Sequence, residues 1–139
     1  MEVIQINDWI LNVERSKTID KYNNFEFLQN TDEALNFSSI GKNNWTQAPE
    51  FLLQLGIDLA KPFDLQATIV EDGNAVMYSG KYYFVGQVEQ GEIDEWDLII
   101  DDFCFSLTKE MQEHPFNGTL ETVEISFEVV LPWKIITTK

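Results

Sequence analysis

Apolar residues recur along most of this chain on a period of two. The clearest run lies towards the C-terminal end, where Val123, Ile125, Phe127, Val129 and Leu131 alternate with Thr122, Glu124, Ser126 and Glu128. One buried face set against one wet face predicts an antiparallel strand. Its phase persists past Pro132 into Trp133 and Ile135. Proline cannot donate to a ladder, so the strand is expected to lie at an edge or to bend there. Upstream, Leu65, Ala67 and Ile69 alternate with Gln66, Thr68 and Val70. Asp72-Gly73-Asn74 then predicts a hairpin turn, with Val76 and Tyr78 on the return strand. Ser79-Gly80-Lys81 predicts a second break before another strand, Tyr82–Val88.

The first residues hold two apolar bursts, Val3-Ile4-Ile6 and Trp9-Ile10-Leu11-Val13, separated by Asn7-Asp8. They predict two short strands. From Glu14 to Asn30 the text is polar, and Phe25 and Phe27 around Glu26 suggest a short strand. Thr31-Asp32-Glu33 reads as a helix start, cut short by Ser38-Ser39 and Gly41. The period changes at Thr46, a cap residue followed by Pro49 and by Glu50 in the first turn. Phe51, Leu52 and Leu55 cover one face and Gly56 stops the helix, giving Pro49–Leu55, with Trp45 placed to staple the first turn. Residues 103–113 fit two patterns. Phe103, Leu107 and Met111 mark a helical face, whereas Phe103, Phe105 and Leu107 mark a strand; a strand running into one helical turn before Pro115 is expected.

Charge sharpens this picture between Tyr82 and Thr108. No basic residue stands between Lys81 and Lys109, yet Glu89, Glu92, Asp94, Glu95, Asp97, Asp101 and Asp102 fall within fourteen positions. Trp96, Leu98 and Ile100 keep a strand-like beat among them. A turn at Gln90-Gly91 would join the two strands as a hairpin that buries the apolar set and lifts the carboxylates into water. Cross-strand like charges destabilise a sheet, so such a run asks for a reason. Glu89, Glu92, Asp94, Glu95, Asp97 and Asp101 are the candidate partner-binding residues.

The whole chain of 139 residues suits one domain, 1–139, with one core. The expected fold class is α+β: an antiparallel, meander-like sheet of about five to seven strands with one or two short helices packed on it. The net charge of −15, from 24 acids against nine basic residues, opposes nucleic acid and anionic membranes and favours a basic protein partner. The acidic N-terminus does not match a secretory signal, and no apolar run is long enough for a membrane helix, so a cytoplasmic protein is expected.

Catalytic constellations are missing. His114 is the only histidine and Cys104 the only cysteine. Cys104 is expected to be a small core residue, its thiolate suppressed by burial and nearby acids. The acidic run lacks the EF-hand spacing, and the glycines form no phosphate loop. Neither enzyme activity nor a metal or cofactor is expected.

In small size, strong acidity, α+β text and lack of a catalytic set, the chain resembles bacterial immunity proteins of toxin systems, of the contact-dependent growth inhibition or colicin-like kind. The resemblance is to a class and assigns no residue. It implies an interaction protein that neutralises a basic nuclease toxin by covering its cationic active site. The alternative is a β-rich domain that binds a small molecule or carbohydrate, with acidity serving solubility alone.

Overall fold

The structure, a computed structural model, describes residues 2–6, 9–24, 36–37, 47–59, 61–70, 75–91, 98–101, 103–108 and 121–132. In chain order the elements are β1 (Glu2–Ile6), β2 (Trp9–Val13), α1 (Arg15–Asn23), α2 (Gln47–Gln54), β3 (Phe63–Val70), β4 (Ala75–Gln90), β5 (Leu98–Ile100), β6 (Phe103–Thr108) and β7 (Thr122–Pro132). The seven strands form one sheet in the order β1-β2-β4-β7-β6-β5, with β3 also on β4. Every pairing is antiparallel. This is the α+β class expected from the patterning. Local connections build the β1–β2 and β3–β4 hairpins and the β5–β6–β7 meander, and β4 joins all three.

β4 is sixteen residues long and occupied on both edges. One edge follows β7 from Ala75↔Pro132 to Val85↔Thr122. The other edge meets β3 up to Phe63↔Lys81, and then β2 from Val13↔Gly86 to Ile10↔Gln90. The break expected at Ser79-Gly80-Lys81 does not exist. Gly80 sits opposite Phe127 inside the strand, and a Cβ there would come within 2.8 Å of the Phe127 ring. That glycine makes room for an aromatic and is not a turn signal. The expected Tyr82–Asp101 hairpin also gives way, since β5 pairs with β6 (Leu98↔Phe105, Ile100↔Phe103) and not with β4. β7 and β2 already hold β4, and Leu98 and Ile100 bury their side chains at the far side of the sheet instead.

Between β3 and β2 a gap opens along the edge of β4, and α1 fills it. Backbone N–H groups of Tyr83 and Val85 donate to Tyr22 Oη and Thr18 Oγ1, both at 2.9 Å. Glu14 N–H reaches the Val85 carbonyl at 2.9 Å. The spacing matches: four helical residues rise about 6 Å, and two strand residues advance about 6.8 Å. Hydroxyls on one helix face thus replace a strand where the ladder is interrupted. The polar text after Glu14 hides a helix because its buried face, Thr18 and Tyr22, is hydroxylic.

β4 also curls. Run straight, Gly91 would lie about 30 Å beyond Tyr82, whereas Leu107, facing Ile125 and through it Tyr82, is two strand spacings or about 10 Å away. Yet a methyl built on Gly91 would sit 3.7 Å from Leu107 and 3.0 Å from Trp9. The corner falls at Gly86, whose φ of +155° and close approach to the Asn12 carbonyl (a Cβ would lie 2.0 Å away) exclude a side chain. The β1–β2 limb folds inwards, and Trp9, Leu11 and Val13 join the core.

Aromatic rings fill the inner face. Phe127 stacks on Tyr82 and Phe37 at ring-centroid distances of 5.1 and 5.6 Å and meets Phe103 edge-on at 5.6 Å. α2 adds Ala48, Phe51 and Leu52, with Phe51 edge-on to Phe105. Gly56, at φ +85°, ends α2 with Ile57 N–H on the Leu52 carbonyl (2.9 Å) and Gly56 N–H on the Leu53 carbonyl (3.0 Å). These two bonds define a Schellman stop, with Leu52 and Ile57 as its buried apolar contact. Pro132 ends β7 opposite Ala75, beyond the last β6 pairing at Glu128, so the lost donor costs no ladder bond on that side. Asn36 and Phe37 are helical. The expectations for Phe25–Phe27, Thr31–Glu33, Trp45, Thr46, Trp96, Met111, His114 and the chain past Pro132 lie outside the described residues.

Candidate partner-binding face

Strand alternation divides the carboxylates. Tyr78, Tyr82 and Phe84 take the inner face of β4, which leaves Lys81, Tyr83, Gln87 and Glu89 on the outer face. Glu89 is exposed near the end of β4, and its Oε1 accepts from Asn12 Nδ2. Across from Asn12, Gln87 donates through Nε2 to Glu121 Oε2. Two exposed carboxylates, 32 positions apart in sequence, therefore flank an Asn12–Gln87 cross-strand pair that orients them. Each keeps oxygen lone pairs open to water. Glu121 was not among the residues expected from the acidic run, because only the β4–β7 register brings it beside Gln87.

The other expected contacts divide. Asp101, at the β5–β6 turn with φ +54°, accepts the Ala48 N–H at 2.8 Å through Oδ2. Its half-buried carboxylate caps the first turn of α2, where the helix exposes donors and the positive end of its dipole. Glu92, Asp94, Glu95 and Asp97 lie outside the described residues.

Further along the outer face, Glu124 is buried, although the alternation put it on the wet side with Glu128. Its Oε1 receives the Tyr83 hydroxyl at 3.2 Å and faces Lys81 Nζ at 3.5 Å. Burial, and then the Glu124 charge, push the Tyr83 hydroxyl pKa well above its usual value. Beside this group lies an open trough of about 450 Å³ lined by Asp64, Leu65, Gln66, Ser79, Lys81 and Glu128, among others. Cys104 also lies on this face, opposite Glu128 and Ile99, and is half-buried. It is not the core residue expected, because Phe103, Phe105 and Leu107 take the inward positions of β6.

Glu14 pairs with Lys17 and Lys81 with Glu124, whereas exposed Glu89, Glu121 and Glu128 meet no cation among the described residues. Among the same residues no group of three or more His, Cys, Asp or Glu is placed to hold a metal, and no helix is long and apolar enough to cross a membrane. Compared with protein-family models, curated proteins and solved structures, the chain matches none.

Proposed function

We propose that this protein binds and neutralises a basic protein, in the manner of an immunity protein covering the cationic active site of a nuclease toxin. The observation that carries this reading is the Glu89–Glu121 pair: two exposed carboxylates, each steered by an amide and neither paired with a cation among the described residues, on a chain of net charge −15. Carboxylates held in place lose less entropy when a Lys or Arg engages them, and the field of the whole chain speeds the encounter. The acidic sequence Glu92, Asp94, Glu95 and Asp97 adds to the same field. The trough favours the small-molecule alternative. Against a carbohydrate stands the burial of Tyr78, Tyr82 and Phe84, which leaves those rings no face to stack on a sugar.

Affinity capture from the source cells, eluted by a salt gradient, tests the reading. It expects one strongly basic protein bound with equal stoichiometry, its nuclease activity suppressed in the complex. Charge reversal at Glu89 and Glu121, and separately at Glu92, Asp94 and Asp97, should slow association and flatten its salt dependence. Capture of a neutral or acidic partner, or association indifferent to both salt and charge reversal, refutes the proposal.

A further inference from the structure

Among the described residues β3 pairs with β4 alone and leaves its other edge open, and its backbone polarity can be read from its neighbours. Gly86 N–H points to β7, where it bonds the Glu121 carbonyl, whereas Tyr83 and Val85 N–H point the opposite way, to α1. Backbone groups alternate along a strand, so Met77 and Ser79 also face that second edge, towards their partners Thr68 and Gln66. Ala67 and Ile69, which alternate with those partners, turn N–H and C=O away from the sheet. Among the described residues neither makes a hydrogen bond on that side. Gln66 through Ile69 are exposed on both faces of β3, and Ile69 is 61% exposed.

Such an edge is ordinarily defended by a lysine, a proline or an inward charge. Leu65-Gln66-Ala67-Thr68-Ile69-Val70 has none of these. It is bracketed in sequence by carboxylates, Asp64 before it and Glu71-Asp72 after it. This bracketing decides between occupants. Antiparallel pairing of two copies would set the Asp64 end of each strand beside the Glu71-Asp72 end of the other, repelling at both ends. A strand with cationic side chains carries the opposite sign to these carboxylates instead. On the outer face it meets Asp64 at the rim of the trough, and on the inner face its apolar residues cover Ile69.

We propose that the free edge of β3 takes up an extended segment of the basic partner as an additional antiparallel strand, through the backbone of Ala67 and Ile69, with cationic side chains towards Asp64. This deepens the function proposed above and rests on it. Main-chain bonds supply attachment, and alternate side chains supply selection.

The test uses ¹⁵N-labelled full-length protein and an acetylated, amidated octapeptide alternating lysine and valine. A peptide with glutamate in place of lysine is the control. The lysine peptide at millimolar concentration should shift the Ala67 and Ile69 amide resonances and slow their exchange by about tenfold or more. Added salt should reverse the effect, and the glutamate peptide should produce none. Ile69→Pro should abolish the response while keeping the wild-type urea midpoint, because that N–H bonds no group among the described residues. The wild-type titration stands by itself if that variant does not fold. Absence of any response at Ala67 and Ile69, or equal response to both peptides, overturns the proposal. A dimer of the protein alone that Ile69→Pro dissociates would make the occupant a second copy and also overturn it. Capture of a basic partner that Ile69→Pro leaves unchanged sinks this inference while leaving the proposed function intact; failure to capture any basic partner sinks the proposed function.

Discussion

Replacing Tyr22 by Phe removes one oxygen and leaves the ring, with its edge-on contact to Phe63 at 5.7 Å, in place. That oxygen accepts the Tyr83 N–H at the point where β4 has no strand beside it. Tyr83 is 4% exposed, so water has little access to the orphaned donor. Leaving a buried N–H unsatisfied costs about 1–3 kcal/mol, which is the expected loss of stability. Thr18→Val does the same to the Val85 N–H, at a residue 1% exposed, for a similar loss of about 1–3 kcal/mol. Thr18→Ser keeps the acceptor and should cost less than about 1 kcal/mol, mainly for a lost methyl. The double variant should lose less than the sum, because once one hydroxyl has gone a small displacement of α1 admits water to both donors. Urea unfolding with linear extrapolation gives the energies, and amide exchange at Tyr83 and Val85 reports the edge directly. If Tyr22→Phe and Thr18→Val both stay within about 0.5 kcal/mol of wild type, or exchange at the two amides is unchanged, α1 is not a substitute strand.

Phe127→Ala should cost about 3–5 kcal/mol by urea melt, since the ring fills the space above Gly80 and stacks on Tyr82 and Phe37, whereas exposed Glu128→Ala should change stability by less than about 0.5 kcal/mol. The hydroxyl pKa values of Tyr22, Tyr82 and Tyr83 are all raised, chiefly by burial. In the unfolded chain they ionise near the usual value of about 10. Stability should therefore be insensitive to these groups below about pH 10 and fall above it, by up to about 1.4 kcal/mol per pH unit for each of Tyr22 and Tyr82 and by less for the less enclosed Tyr83 hydroxyl, as the unfolded state loses protons first. Urea midpoints across that range check the slope, and ultraviolet titration should show these hydroxyls ionising only on unfolding. Half-buried Cys104, on the outer face of β6, should react in the native state with a small thiol reagent within about tenfold of its rate in denaturant, and strong native protection would place it elsewhere.

Where both the period and its punctuation are local, the chain could be read directly. Five inward residues from Val123 to Leu131 define β7 because alternation alone tells which side is dry. The β3–β4 hairpin follows from two alternating runs around Asp72-Gly73-Asn74. Pro49, Glu50, Phe51, Leu52 and Gly56 mark α2 to within two residues, since a helix start and a left-handed stop are decided within a turn. Net charge, likewise, needs no fold.

Tertiary structure decided what each face meets. Thr18 and Tyr22 look like solvated polar residues until β4 presents two unpaired N–H groups, more than sixty positions away, at matching spacing. Gly80 reads as a turn until Phe127 claims its space, and Gly86 gives no sign of the corner until the Asn12 carbonyl crowds it. Asp101 belongs in sequence to an acidic run, yet in the fold it caps a helix 53 positions upstream. Glu121 becomes the neighbour of Glu89's limb only through the β4–β7 register. Periodicity records which side of an element leaves water, because burial acts on each side chain separately. Partner choice is a competition among distant backbone and side-chain groups, settled only when packing removes the water that would otherwise satisfy them all.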